Sequence, residues 1–375
     1  MPEMIVTGLL GGCAALSLGA HLGSNALAIG RPWLRRRRSD APAFRPHLTL
    51  IRPVKGLDPH DCETLASSFT QDYPDYEVLF CAETATDPAC AAIREMIAAH
   101  PGVPARLLIG DSRLSANPKL NNVEKGVAAA RGDWFVLTDA NLMLAPDYLS
   151  TLADSWGVDT GLVSGPPLGT AAEGLWGAVE CAFLNGTQAR WQLAADALGL
   201  GFAQGKTLFW NRRVLRAGGG LAALGRDTAE DVGATKLVRA QGLRVRLPLR
   251  LSGHPVGRRR VRAVWDRQLR WSIIRRDGFP GLFALEPLQG PLPGLLALIA
   301  LALAGAVPGL LPLAYVALWY GAELLFSRAY DLPVGPRDLA AMALRDAMQP
   351  ALWIAGLLRQ SFDWRGHAMT AEPAE

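Results

Sequence analysis

What the 375-residue sequence lacks narrows it first. Its five cysteines are an odd number with no CxxC spacing, so neither a disulfide framework nor a zinc ribbon is indicated and a reducing compartment is expected. The net charge is only +4 and no nucleic-acid-binding module is recognisable, which sets aside a general nucleic-acid binder. Charged residues are scarce, 19% against 50% hydrophobic, with a mean hydropathy of +0.15. They are almost missing from residues 4–29 and 291–326, so membrane anchors around an ordinary globular core are expected. There is no internal repeat, and no low-complexity tract apart from an acidic tail.

The first apolar run has no Lys or Arg before it, and RPWLRRRRSD comes after it, with Arg31 and the run Arg35 to Arg38. A secretory signal has the opposite order. Residues 1–30 therefore read as a membrane anchor of roughly 20 to 25 residues, with the Arg run and the residues after it on the cytoplasmic side. A buried or interfacial helix is the plainer alternative, because His21 and Asn25 dilute the run. Residues 289–360 read as a second membrane region. Pro308 and Gly309 break its first part into a hairpin of two tilted or short spans, and Leu339 to Leu358 carries Arg345, Asp346 and Pro350, which suits a re-entrant or interfacial helix as well as a span.

Between them, residues 45–286 alternate strand-like and helix-like runs. LTLIRPV, YEVLFCAE, ARLLIGD and GDWFVLTDA each end in polar or turn residues, and TLASSFTQDY, PACAAIREMIAAH and LNNVEKGVAAA carry apolar residues at helical spacing. That cadence predicts a mostly parallel sheet covered by helices, an α/β class. Ligands in such sheets lie beyond the carboxyl ends of the strands, where Glu83, Asp111 and Asp139 fall.

Three local patterns bear chemistry. In VLTDANLML, Asp139 and Asn141 put two hard oxygen ligands at a strand tip, suited to Mg²⁺ or Mn²⁺ bridged to a diphosphate, although a strand-end Asp capping a turn is equally consistent. In RDTAEDVGATKLVRAQG, Asp231 is either a general base in a cleft or one of several acids at a helix start. In GDSRLSANPKLNNVEKG, Lys119 at a helix start makes an anion site or belongs to a solvated loop. A fourth segment, WDRQLRWSIIRR, gathers Arg267, Arg270, Arg275 and Arg276 with Trp265 and Trp271. Such a segment suits a diphosphate or a membrane surface.

Together, RPVKGLDPHDCETLASSFTQDYPDYEVLFCAE, TDPA, ANPKLNN, LTDAN, AED at 229–231 and RxxRW at 267–271 resemble the ceramide glucosyltransferase family (family 21) in order and spacing, over roughly residues 1–330. The resemblance implies a Rossmann-like GT-A catalytic domain between N-terminal and C-terminal membrane helices. It implies an inverting transfer of glucose from a UDP-sugar to the primary hydroxyl of ceramide, with Mn²⁺ or Mg²⁺. On it, Asp139, with Asn141, holds the metal. Asp231 deprotonates the acceptor, and Glu83, Lys119, Asp139, Arg267, Arg270 and Trp271 serve the donor, Trp271 also offering a flat wall. Gly205 and Lys206 fall on the acceptor side. The expected setting is a multi-pass protein of a bacterial inner membrane, with its catalytic domain facing the cytoplasm, partnered by the bilayer and its lipid acceptor, with no nucleic acid and no obligate protein partner.

Two departures from the family pattern stand out. CAETATDPA has fewer acidic residues than usual, leaving Glu83 and Asp87 as candidates for the uridine, with Glu83 preferred at the strand tip. In AQGKTLFW, Lys206 stands where animal members carry an apolar residue. It either points to solvent or contacts a phosphate or carboxylate. The second possibility keeps UDP-glucuronate, UDP-galactose or UDP-N-acetylglucosamine open as donors. A hopanoid, a sterol or diacylglycerol remains an alternative acceptor, because apolar pockets discriminate weakly.

Overall fold

Runs rich in Leu, Ile, Val and Phe that are buried on both faces fold as strands of a covered sheet. They do so here as β1 (Leu48–Val54), β2 (Tyr76–Ala82), β4 (Trp134–Thr138), β5 (Thr160–Ser164) and β7 (Thr207–Asn211), whereas β3 (Ala105–Ile109), β6 (Leu168–Glu173), β8 (Arg244–Arg246) and β9 (Gly253–Arg258) are more exposed or more polar. The computed structural model describes residues 2–35, 44–359, 361–364 and 367–370. Arg36, Arg37 and Arg38 of the basic run, and the acidic tail, lie outside these residues.

The main sheet has the order β3-β2-β1-β4-β7-β5-β8. β1 pairs in parallel with β2 and β4, and β2 with β3. β7 runs antiparallel to both β4 and β5, so the sheet is mostly parallel, as the α/β cadence predicts. β6 and β9 form a separate two-stranded ribbon. The four strands read from the sequence are present, as are helices at Ala89–Ala99 and Pro118–Ala129; the stretch read as helical from Thr64 to Tyr73 is a helix only over Asp61–Ala66, followed by a 3₁₀ turn at Ser67–Phe69.

The chain divides into two compact units. The sheet unit comprises residues 32–171 and 195–257, and the helical unit comprises residues 1–31, 172–194 and 258–375. Packing thus groups residues 172–194 and 258–286 with the helices. In the sheet unit, one apolar layer of β1, β2 and flanking helices includes Leu50, Phe80, Ile93 and Leu149, and the opposite layer includes Ile51, Leu79, Val123 and Leu137.

Helix Pro2–Arg35, which lies in the helical unit up to Arg31, contains a 31-residue stretch, Met4–Leu34, long and apolar enough to cross a membrane. The two polar residues that dilute it are buried in this unit. His21 stacks on Trp319 with ring centroids 3.6 Å apart, and Asn25 donates to the His21 carbonyl at 2.9 Å. The 291–326 run forms helices Leu292–Leu303 and Leu311–Ala329, interrupted around Pro308 and Gly309, with Gly305 at φ 69°. Twelve residues extend only about 18 Å, short of a bilayer core of about 30 Å.

Helix Pro336–Leu358 continues through Pro350. Its central charges are buried and paired: Arg345 makes a two-pronged contact with Glu323 at 2.8 and 2.9 Å and donates to Asp346 at 2.9 Å. A side chain on Gly186, in the π-helical stretch Phe183–Ala189, would collide with that guanidinium.

Helix Pro118–Ala129 lies close against the sheet at Gly126, where a Cβ would come within 2.7 Å of Cys81 Sγ and 2.8 Å of Ile51 Cγ2. Gly126→Ala is therefore expected to destabilise the sheet unit by about 1 kcal/mol or more, overpacking outweighing alanine's better helix propensity. The check is a lower Tm that Cys81→Ala restores in part.

Candidate active site

The antiparallel pairing of β4 with β7 sets the centre of the site. Its register pairs Thr138 with Thr207. One step further, the Asp139 N–H donates to the Lys206 carbonyl at 3.2 Å, so Asp139 and Lys206 face each other at the strand ends. Beneath them, the Tyr148 hydroxyl contacts those of Thr138 and Thr207 at 2.8 and 3.0 Å. Burial pushes this phenol up to about 12, so it stays neutral.

The loop after Asp139 is held from below. Arg52, fully buried, donates to the carbonyls of Ala140 and Leu142 at 2.8 and 3.1 Å, and the Thr64 hydroxyl donates to Ala140 O at 2.6 Å. Burial lowers Arg52 to about 10, which leaves it charged at neutral pH. His254 Nδ1 contacts the Asn141 carbonyl at 2.7 Å. Asp139 and Asn141 are thus presented by a braced loop, beyond what a turn cap needs.

Lys119 reaches the same point from helix Pro118–Ala129, whose first N–H groups are capped by Asn117 Oδ1. Its ammonium contacts Asp139 Oδ1 at 2.6 Å, Glu230 Oε1 at 2.7 Å and the Gly205 carbonyl at 2.6 Å. The lysine is neither solvated nor in an open anion site; its three protons serve three protein oxygens. Lys206 is also turned inward, its Nζ lying 3.2 Å from Asp139 Oδ2 and 2.6 Å from Asn141 Oδ1. Burial alone would raise the Asp139 pKa, but Lys119 and then Lys206 outweigh it and hold the carboxyl well below the usual range. Burial would likewise lower Lys119, and the charges of Asp139 and Glu230 instead hold it above its ordinary value.

Asp231 opens helix Glu230–Ala240. Its Oδ2 accepts the Gly205 N–H at 2.9 Å and its Oδ1 the Val232 N–H at 2.9 Å. Burial, then the neighbouring Glu230 charge, raises its pKa to about 6, against the lowering effect of the Gly205 N–H. The preceding Glu230 is more deeply buried and accepts from Lys119 and from Asn117 Nδ2, the latter at 3.0 Å. Gly205 passes so close that a Cβ would lie 2.7 Å from Glu230 Oε1. Glycine is needed here for space.

Of the other expected residues, Glu83, just past β2, pairs with Lys55 at 3.3 Å, both more than a third exposed. Asp87 is committed to backbone, accepting from the N–H groups of Gly56 and Ala89 at 2.9 Å. Arg267, Arg270 and Trp271 lie on helix Val261–Gly278 of the helical unit, where Arg267 pairs with the buried Glu180 at 2.9 Å. Sequence reasoning missed the structural roles of Arg52, Asn117 and Glu230. The RPV, ANP and AED motifs contained all three, but nothing local marked them as partners of distant residues.

Among the described residues no three His, Cys, Asp or Glu side chains form a metal-binding group. The oxygens of Asp139 and Asn141 nevertheless converge on one point, at which the Lys206 ammonium stands in for a cation. A hard divalent ion with few protein ligands, completed by phosphate oxygens, fits such a pair.

A family model described as Glycosyl transferase family 21 matches residues 16–375. Ceramide glucosyltransferase 1 of Caenorhabditis elegans is 28% identical over 250 residues, 65% of this chain and 53% of the relative. Ceramide glucosyltransferase 3 of the same organism is 24% identical over 334 residues, 86% of this chain and 72% of the relative. The matched part thus spans about half the length of the first. The solved mannosyltransferase from Pyrobaculum calidifontis, in complex with GDP-Man and Mn²⁺, has a TM-score of 0.57 at 21% identity, covering 90% of this chain and 99% of that one. The shared fold is the expected GT-A class.

Removing the Lys119 ammonium leaves Glu230 and Asp139 each short of a charge partner. Lys119→Met is expected to destabilise the sheet unit by about 3 kcal/mol, the scale for breaking a buried pair, measured as a drop in Tm at neutral pH. An unchanged Tm would show that both carboxylates find other partners.

Proposed function

The chain belongs to glycosyl transferase family 21, and from that premise we propose that it is a membrane-bound inverting glycosyltransferase moving glucose from UDP-glucose to the primary hydroxyl of ceramide. One arrangement carries the reading: two carboxylates of one site have opposed surroundings, Asp139 between the ammoniums of Lys119 and Lys206 and Asp231 on the backbone N–H groups of Gly205 and Val232. Asp139 is held charged between two ammoniums, while Asp231 sits near pKa 6. Opposed environments of this kind mark separate acid–base and electrostatic roles.

In the proposed reaction the acceptor oxygen attacks the anomeric carbon and gives its proton to Asp231. The bond from that carbon to the UDP oxygen breaks, and UDP departs with the electron pair. Asp231 suits the role because at neutral pH it is mostly ionised yet basic enough to take a proton. Its two backbone N–H contacts fix its direction. Asp139 and Asn141 would hold a divalent cation, which when bound supplies positive charge to the leaving diphosphate. Glu83 is the proposed contact for the uridine. Lys119 braces Asp139 rather than presenting a free N–H to the donor. Donor and acceptor roles for Arg267, Arg270 and Trp271 rest on the family motif.

Membrane association is supported by helix Met4–Leu34. The proposed arrangement is an anchor at 1–30, a cytoplasmic catalytic region at 45–286 and a second membrane region at 289–360, in a bacterial inner membrane. Arg31 and the arginines after it favour the cytoplasmic side.

Detergent-purified chain, incubated with Mn²⁺, UDP-glucose and a panel of lipids, should yield a hexosylceramide by mass spectrometry. A sugar on a hopanoid or diacylglycerol with ceramide untouched would overturn the acceptor. Asp231→Asn should lower transfer by roughly 10²- to 10⁴-fold with UDP binding retained. Because Asp231 works as the carboxylate, the wild-type rate should fall as pH drops through about 6. A rate flat down to pH 5 would remove Asp231 as the base.

A further inference from the structure

Lysine is rare in this chain, five of its 38 basic residues, yet two of the five meet at Asp139. Lys119 has a bridging task that reaches Glu230 and Gly205. Lys206 does something different: its ammonium rests on Asp139 Oδ2 and Asn141 Oδ1, the two oxygens that suit a hard cation. An ammonium is a compact point charge with three rotatable donors, able to occupy an ion's position as a guanidinium fork does not.

Its attachment is rigid at one end only. The Lys206 carbonyl accepts the Asp139 N–H, and its own N–H donates to Gln204 Oε1 at 3.0 Å, so the backbone is fixed beside the carboxylate. The four-carbon stem can still turn the ammonium elsewhere. Asp139 remains 26% exposed, whereas Lys206 is 11% exposed.

Building on the donor reading above, we infer that Lys206 is a tethered counter-ion filling the cation position of Asp139 and Asn141 in the nucleotide-free protein, so that a divalent cation binds well only when a nucleotide diphosphate gives the displaced ammonium a new partner. An ammonium and a divalent cation on the same two oxygens would repel at short range. While the ammonium rests on these two oxygens, an entering cation meets its charge at short range. With the diphosphate present, phosphate oxygens accept the ammonium and complete the cation's shell. Cation and donor then bind together, and the free protein does not sequester metal.

The test reads Mn²⁺ binding by electron paramagnetic resonance on the detergent-solubilised full chain, without nucleotide and with saturating UDP. Lys206→Ala should bind Mn²⁺ alone roughly tenfold or more tightly than the wild type, and UDP should narrow that gap. Lys206→Arg, which keeps the charge, should show a smaller gain than Lys206→Ala. Equal nucleotide-free affinities in wild type and Lys206→Ala, including no measurable binding by either, overturn the counter-ion role, as does an equal gain in Lys206→Arg. If Lys206→Ala fails to fold, Lys206→Gln takes its place with the same expectation. Failure of every chain to bind UDP with Mn²⁺ overturns the donor reading instead, and the nucleotide-free comparison still decides the role of Lys206.

Discussion

The site depends on the Lys119 ammonium. Its three contacts go to the end of β4, the start of helix Glu230–Ala240 and the carbonyl of Gly205, three segments far apart in the chain. Asp139 and Glu230 brought together without it would repel in a partly dry place, and one would take up a proton. The N–H of the same Gly205 holds Asp231. The position of the proposed base is therefore tied to that of Asp139 through a single glycine whose two backbone polar groups face opposite partners. Gly205 can stand there because no Cβ intrudes on Glu230.

Around this bridge the environment separates two side chains of the same type. Asp139 lies between ammoniums and stays charged, whereas Asp231, partly buried beside Glu230, becomes more basic. The foundation is stiff: Arg52 and Thr64 grip the loop carbonyls, and the Tyr148 hydroxyl closes the gap beneath β4 and β7. A braced loop keeps oxygen ligands in place while one flexible lysine supplies the adjustable charge.

The helical unit obeys the same rule under a harsher constraint. Arg345 is buried among helices of high hydrophobicity, and it is tolerated because Glu323 and Asp346 meet its fork and because Gly186 leaves room. The charges that make Leu339 to Leu358 a poor lipid-facing span are turned inward. His21 and Asn25 in the first helix are likewise accommodated by burial in this unit.

Local patterns made much of this legible. Buried strands at β1, β2 and β4, helices at Ala89–Ala99 and Pro118–Ala129, the apolar first helix and the break at Pro308 and Gly309 all arise from periodicity and turn chemistry, which act over a few residues. Asp139, Asn141 and Asp231 could be singled out as candidates because they sit at a strand tip and a helix start, and the family motifs LTDAN and AED, not the local pattern, gave them roles. Their partners could not, since an ion pair joins residues that only folding makes neighbours. Lys206 illustrates the limit. The sequence marked it as out of place for its family, whereas only the register of β4 against β7 set it opposite Asp139, and only the crossing of helix Pro118–Ala129 brought Lys119 to the other carboxylate oxygen. By itself the sequence determined the α/β class and which side chains could do chemistry; the tertiary structure decided which carboxylate stays charged and which becomes basic, because acidity depends on burial and on charges that arrive from elsewhere in the chain.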